Sequence, residues 1–244
     1  MQKTYRDELL LRTCHCDMQG RWRPSAILEA MQEAAGTHAE LLGCGRSHLL
    51  TDNVVWVISR IELHMDRYPG IGERVTVETF PMPCRRCFFP RYFVFRDAEG
   101  SPLGCAGTLW VLLDLTTRHM AAPQAVAARI PDNSDLVPPL PLPHAVPRTE
   151  GAVQTLLRRA AYTDLDVNAH VNNARYADWL TDALGTSVMR QYCLKTLNIN
   201  YAAEVLPDAE VEMQLIRNGL AYHLAGSCDG RRHFEIGGEL MARD

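Results

Sequence analysis

At 244 residues, with 47% hydrophobic and 22% charged residues, the chain has an ordinary globular composition and enough length to bury a core, which excludes a disordered segment. Its formal net charge of -4 speaks against a binder of nucleic-acid phosphates, which carries a basic excess on one face. No apolar run approaches the ~18 residues of a transmembrane helix, the first seven residues lack the apolar stretch of a signal peptide, and the expected location is the cytoplasm.

The first half opens with a strand-like run at 8–16 and a polar turn at 17–23. A helix follows over 24–42, with Pro24 in its first turn and Gly43 just past its end. Ile27, Leu28, Met31, Ala34, Ala35, His38 and Leu42 recur at helical spacing and predict one apolar face. Strands are expected at 54–65, 74–81, 88–96 and 104–115, with Pro69-Gly70 and Glu99-Gly100 as turns. Between 123 and 152 seven prolines, from Pro123 to Pro147, exclude a long helix or a central strand and predict a stiff linker.

The second half repeats the order. A strand is expected at 153–161, a turn at 162–172, one helix over 173–189, then strands at 194–202, 209–217, 221–229 and 233–242. Asn218-Gly219 and Asp229-Gly230 mark hairpins. Four tightly connected strands after one helix require an antiparallel sheet, and the helix is the element available to cover it. The predicted class is therefore α+β in two repeated domains, 1–122 and 153–244, joined by 123–152. A shift of 149 positions places Asp17 on Asp166, Gln19 on Asn168, Arg21 on His170, Ala34 on Ala183 and Gly36 on Gly185. Only the second copy carries the set Asp, Asn, His.

Eight cysteines at irregular spacing fit reduced thiols better than a disulfide framework. Cys84 and Cys87 have a metal-ligand spacing, but Cys14 and Cys16 are spaced wrongly for the second half of a zinc ribbon. No metal site is expected, and no motif requires an organic cofactor. Arg85-Arg86, Arg158-Arg159 and Arg231-Arg232 read as solvated surface.

In the second copy Asp164, Leu165, Asp166, Val167, Asn168, Ala169, His170, Val171, Asn172 and Asn173 run on to Tyr176 and Trp179. The first copy has Gln32-Glu33-Ala34-Ala35, His38 through Gly43, Trp56 through Arg60, Asp66-Arg67-Tyr68-Pro69 and Trp110 through Asp114. These blocks, in order across nearly the whole chain, resemble the acyl-acyl carrier protein thioesterases of plants and bacteria. The resemblance implies two tandem hot-dog domains, each a long helix wrapped by a curved antiparallel sheet. It also implies hydrolysis of a fatty acyl-acyl carrier protein thioester, with acyl carrier protein as partner. The family's catalytic set maps onto Asp166, Asn168, His170 and Glu204. Many plant members have a cysteine directly after that glutamate; here the position is Val205, which argues against a cysteine nucleophile.

Thioester hydrolysis needs an activated water and a group that stabilises the developing oxyanion. Glu204 suits the base, Asn168 offers an amide to the carbonyl oxygen, and His170 orients the water. If the turn is extended, Asn168 and His170 project to the same side. Asp166 is either an orienter of the turn or the base itself. Asn172 reads as a helix cap. On residue type alone, Asp and Asn before a helix are more often turn chemistry, and Glu204 before Pro207 a solvated strand end.

The first copy lacks the reactive set, and its apolar helix face, Leu28, Met31, Ala34 and Ala35, is the expected slot for the acyl tail. Two other readings compete: an acyl- or aryl-CoA thioesterase on the same fold, and a hot-dog module that binds acyl groups without turnover. The tandem chain supplies its own sheet partner, and a monomer or a homodimer fits equally.

Overall fold

The computed structural model describes residues 2–122 and 124–243. Met1, Pro123 and Asp244, which bound the segments defined above, lie outside the described residues. The chain divides into two compact units: one runs to Trp22 and resumes at Glu29–Pro143, and the other comprises Arg23–Leu28 with the chain from His144 onward.

The first unit contains β1 (Tyr5–Leu10), α1 (Pro24–Leu41) from Glu29 onward, α2 (Arg46–Thr51), β2 (Val54–Met65), β3 (Arg74–Pro81), β4 (Phe89–Asp97), β5 (Pro102–Asp114) and α3 (Gln124–Ala127). Its strands pair antiparallel in the order β1-β3-β4-β5-β2. Ala39 and Leu42 at the C-terminal end of α1 pack with Phe89 and Leu112 of the sheet, and Trp22 sets its ring edge-on to Phe95, 5.8 Å away. Most of β4 is buried, with no alternation between faces, because its other face is also covered: Tyr92 packs with Phe80 and Met82 beneath Leu136 and Leu140.

The second unit contains β6 (Val153–Arg159), α4 (Arg175–Leu184), α5 (Thr186–Gln191), β7 (Tyr192–Tyr201), β8 (Glu210–Asn218), β9 (Ala221–Cys228) and β10 (Arg231–Ala242). Its antiparallel order, β6-β8-β9-β10-β7, is that of the first unit strand for strand. In β8 Val211, Met213 and Leu215 are buried while Glu210, Glu212 and Gln214 are exposed, the two-residue period of a half-covered sheet. Tyr176 and Trp179 of α4 lie 4.7 and 5.9 Å from the ring of Phe234 on β10.

Three expectations are corrected. The helix predicted over 173–189 is two helices, because Gly185 takes φ 84°, a left-handed conformation that ends α4 and that glycine adopts without steric cost. The first copy also carries a second helix, α2, after Gly43 turns the chain at φ 70°. The proline-rich stretch does not hang as a spacer. It contains α3, and Asn133, fully buried, donates from Nδ2 to the Lys3 and Pro81 carbonyls at 2.9 and 2.7 Å, tying the segment to the first unit. Among the described residues, no helix is long and apolar enough to cross a membrane.

Candidate active site

The segment between β6 and α4 folds as a tight turn. A single 3-10 turn, Tyr162–Asp164, leads into it, and a β-bridge between Leu165 and Val171 closes it. The Asp166 N–H donates to the His170 carbonyl at 2.9 Å, and the Ala169 N–H donates to the Asp166 carbonyl at 3.0 Å. The Asp166 carboxylate accepts the Asn168 N–H at 2.8 Å, the local bond that makes aspartate a turn residue. Ala169 sits at φ 60°. The segment is thus reversed and not extended, so a shared side for Asn168 and His170 does not follow from strand alternation. Asp166 and His170 are half-buried and Asn168 is exposed.

Glu204 reaches this turn through backbone pairing. The Val171 N–H donates to the Val205 carbonyl at 3.0 Å, and His170 Nε2 lies 3.2 Å from Glu204 Oε2. The side chains of that pair are 29% and 37% exposed, so the contact is open to a water or a substrate. Val205 itself is fully buried. The Ala202 and Ala203 N–H groups both donate to the His233 carbonyl on β10, at 2.8 and 3.1 Å, which fixes the strand end that carries Glu204.

Two tyrosines lock the turn to that strand end in opposite directions. The Tyr201 hydroxyl donates to the Asn173 carbonyl at 2.8 Å, just ahead of α4. The Tyr176 hydroxyl, in the first turn of α4, shares a hydrogen bond with the Val205 backbone. Their rings meet edge-on at 5.2 Å, and burial pushes both phenols well above the ordinary tyrosine range, so both stay protonated.

Behind the turn, Asp164 is 5% exposed; its carboxylate accepts the Ala161 N–H at 3.0 Å and lies 3.4 Å from Arg158 Nη2. Arg158 also donates to Asp182 at 2.7 Å and stacks over the Trp179 ring at 5.0 Å. It is therefore a structural clamp, where the sequence suggested a solvated surface pair. Neither Tyr201 nor Arg158 stands out by spacing, because their partners Asn173 and Asp182 lie 28 and 24 residues away. The cap assigned to Asn172 is shifted: its side chain accepts the Ala174 N–H at 2.8 Å, and α4 begins at Arg175.

The structure therefore brings His170 and Glu204 into contact and places Asp166 and Asn168 in the same turn. Leu28, Met31, Ala34 and Ala35 are all buried on α1, at 3%, 2%, 0% and 7% exposure. They do not line the half-open cavity of about 160 Å³ in the first unit, whose walls are Met82, Arg85, Pro90, Tyr92, Pro138 and Leu140 to Leu142. Among the described residues, no group of three or more His, Cys, Asp or Glu side chains is placed to hold a metal ion. All eight cysteines are thiols.

Residues 2–128 match the acyl-ACP thioesterase N-terminal domain and residues 150–236 match the acyl-ACP thioesterase C-terminal domain. The chain belongs to the acyl-ACP thioesterase family. It is 29% identical over 200 residues to a chloroplastic palmitoyl-acyl carrier protein thioesterase of Arabidopsis thaliana, covering 76% of this chain and 48% of that protein. The chain thus spans about half the length of two of the curated relatives it matches. An acyl-ACP thioesterase from Bacteroides thetaiotaomicron superposes with a TM-score of 0.87 at 24% identity, covering 98% of each chain. A 12:0-ACP thioesterase from Umbellularia californica superposes with a TM-score of 0.80 at 22% identity, again covering 98% of each. These likenesses establish the fold as the tandem hot-dog predicted from the sequence.

Proposed function

We propose that this chain hydrolyses the thioester of a fatty acyl group carried on acyl carrier protein and releases the free fatty acid. The observation that carries the reading is the His170–Glu204 contact at 3.2 Å beside the Asp166 turn, within a family whose named relatives act on acyl-carrier-protein thioesters. Glu204 takes a proton from a water as the water oxygen attacks the thioester carbon. His170 holds the carboxylate and the water in line, and the Asn168 amide donates to the oxyanion. The tetrahedral intermediate then collapses with cleavage of the C–S bond, and the proton held by Glu204 passes to the departing thiolate.

Asp166 acts as the orienter, since its carboxylate is already engaged by the Asn168 N–H at 2.8 Å. Leu28, Met31, Ala34 and Ala35 on α1 contribute apolar surface for the acyl tail. Each methylene buried there contributes about 0.8 kcal/mol, so the depth of that surface sets the preferred chain length. The acidic partner is acyl carrier protein, and the setting is a cytoplasm in which the eight thiols stay reduced.

Matched acyl-acyl carrier protein and acyl-CoA substrates, offered together, test the reading. Preference for the carrier-protein thioester supports it. Preference for CoA transfers the same chemistry to the CoA carrier, and binding without release of acid leaves an acyl-binding module.

A further inference from the structure

Tyr92, on β4 in the first unit, points away from α1. Its neighbour Arg91 donates from Nη1 to His38 Nδ1 on α1 and to Thr79 Oγ1, each at 3.2 Å, so the odd-numbered residues of β4 face that helix. Strand alternation sends Tyr92 to the other face, together with its cross-strand partner Phe80. That face is roofed by the proline-rich segment, which is tied down at two points. Asn133 holds one through the Lys3 and Pro81 carbonyls, and Arg60 Nη1 holds the other by donating to the Pro143 carbonyl at 3.2 Å. Between the ties lies the half-open cavity of about 160 Å³, with Met82 and Pro90 on the sheet side and Pro138 and Leu140 on the roof. The sheet thus separates it from Met31, Ala34 and Ala35 on α1.

Two polar side chains line this cavity. Tyr92 is 2% exposed, yet among the described residues its hydroxyl has no hydrogen-bond partner. Two other tyrosines buried as deeply are both bonded: the Tyr222 hydroxyl donates to the Thr196 carbonyl at 2.6 Å, and that of Tyr176 shares a bond with the Val205 backbone. A deeply set hydroxyl without a protein partner is unfavourable, and an occupant of the cavity is what can reach this one.

Arg85 is the second. Its backbone is fixed by a pair of bonds with Phe88, at 2.8 and 3.0 Å, which close a two-residue turn over Arg86 and Cys87. Its guanidinium stands exposed at the cavity wall and has no ion pair among the described residues. Burial raises the pKa of the Tyr92 phenol, and the Arg85 charge opposes that rise more strongly than Glu62 adds to it, so the cation acts directly on the phenol.

The cavity sets both the shape and the charge of what it takes. A protein cavity of about 150 Å³ accepts one benzene ring, and a long acyl tail exceeds that space. The proline rings and the Tyr92 ring offer flat faces to an aromatic body. The guanidinium and the phenol both donate, and a carboxylate accepts from two donors at once.

We propose that this cavity binds a monocyclic aromatic carboxylate, with its ring beneath the proline-rich segment and its carboxylate between Arg85 and the Tyr92 hydroxyl. The site requires no turnover at His170 and Glu204, so it stands or falls apart from the thioesterase reading.

The test is equilibrium binding of benzoate, benzyl alcohol and heptanoate to the full chain. Native protein should bind benzoate saturably and at least fivefold more tightly than either analogue. Benzyl alcohol lacks the charge, and heptanoate has the same carbon count without the ring. Arg85→Gln should erase the preference for benzoate over the alcohol. Tyr92→Phe, which keeps the ring, should weaken benzoate about three- to tenfold. Leu140→Trp, which fills the cavity, should abolish binding of all three, and Glu204→Ala should bind benzoate as the native chain does. Loss of benzoate in Glu204→Ala would place it at the reactive pair and overturn the proposal. So would the absence of saturable binding, equal affinity for benzoate and benzyl alcohol, tighter binding of heptanoate, or a benzoate affinity unchanged in both Arg85→Gln and Tyr92→Phe. If Leu140→Trp does not fold, those two variants, one in an exposed turn and one short of a single oxygen, decide alone.

Discussion

The turns at 13–22 and 162–171 have one backbone and two chemistries. In both, a 3-10 turn precedes the reversal, and its last residue bonds back to the N–H three residues earlier: His15 Nδ1 accepts from Arg12 at 3.1 Å, and Asp164 accepts from Ala161 at 3.0 Å. Asp17 accepts the Gln19 N–H as Asp166 accepts that of Asn168. Gly20 and Ala169 hold the same left-handed residue, at φ 72° and 60°. The Trp22 N–H donates to the Pro69 carbonyl at 2.8 Å, as Val171 does to Val205. Tyr68, nearly buried, therefore stands where the second copy has Glu204. The shared aspartate belongs to the turn, and the chemistry lies in what differs: Asn168, His170 and Glu204 against Gln19, Arg21 and Tyr68.

That contrast makes predictions of graded size. The largest concerns His38, a feature of the first unit alone. Burial, then the Arg91 charge, lowers its pKa from 6.5 to about 4. The unfolded chain binds a proton there that the fold refuses, so stability is full above pH 6.5 and is lost as pH falls toward 4. The loss is roughly 3 kcal/mol, and His38→Gln should flatten that limb in denaturant titrations across pH. Gly20→Ala should cost about 1–2 kcal/mol, since its Cβ would sit in a left-handed residue 3.3 Å from Ile71, whereas Ala169→Gly should be neutral or stabilising. Tyr201→Phe should cost about 1 kcal/mol and lower kcat more than it raises KM, because it frees the strand end carrying Glu204 without touching substrate. The smallest effect separates two glycines that the 149-residue shift superposes. Gly36→Ala lies within α1 with open space around its Cβ and should raise stability by about 0.5–1 kcal/mol, while Gly185→Ala at φ 84° should lower it in the same melting experiment.

Much of this was legible in the sequence. Strand periodicity and hairpin glycines place β2 and β3 at 54–65 and 74–81, as the structure has them, and the 149-residue shift aligns the duplicated turn from sequence alone. The shift could not find Tyr68 opposite Glu204, because the spacing falls to 136 between Pro69 and Val205 once the longer α1 and α2 region of the first copy is passed. The break at Gly185 was hidden because a glycine inside an apolar period reads as a tolerated helix residue, as Gly36 is. Arg91 was hidden for the opposite reason: it stands in a strand of aromatic and branched residues whose pattern predicts burial, and only His38 and Thr79, distant in sequence, reveal where its charge points.

The most direct measurement is free-acid release from a series of acyl-acyl carrier protein thioesters, butanoyl to octadecanoyl, by native protein, Glu204→Ala and His170→Ala. Turnover by the native chain that drops at least ~100-fold in both variants, with the melting temperature retained, is the predicted result. Undiminished release by Glu204→Ala would contradict the account and move the base to Asp166.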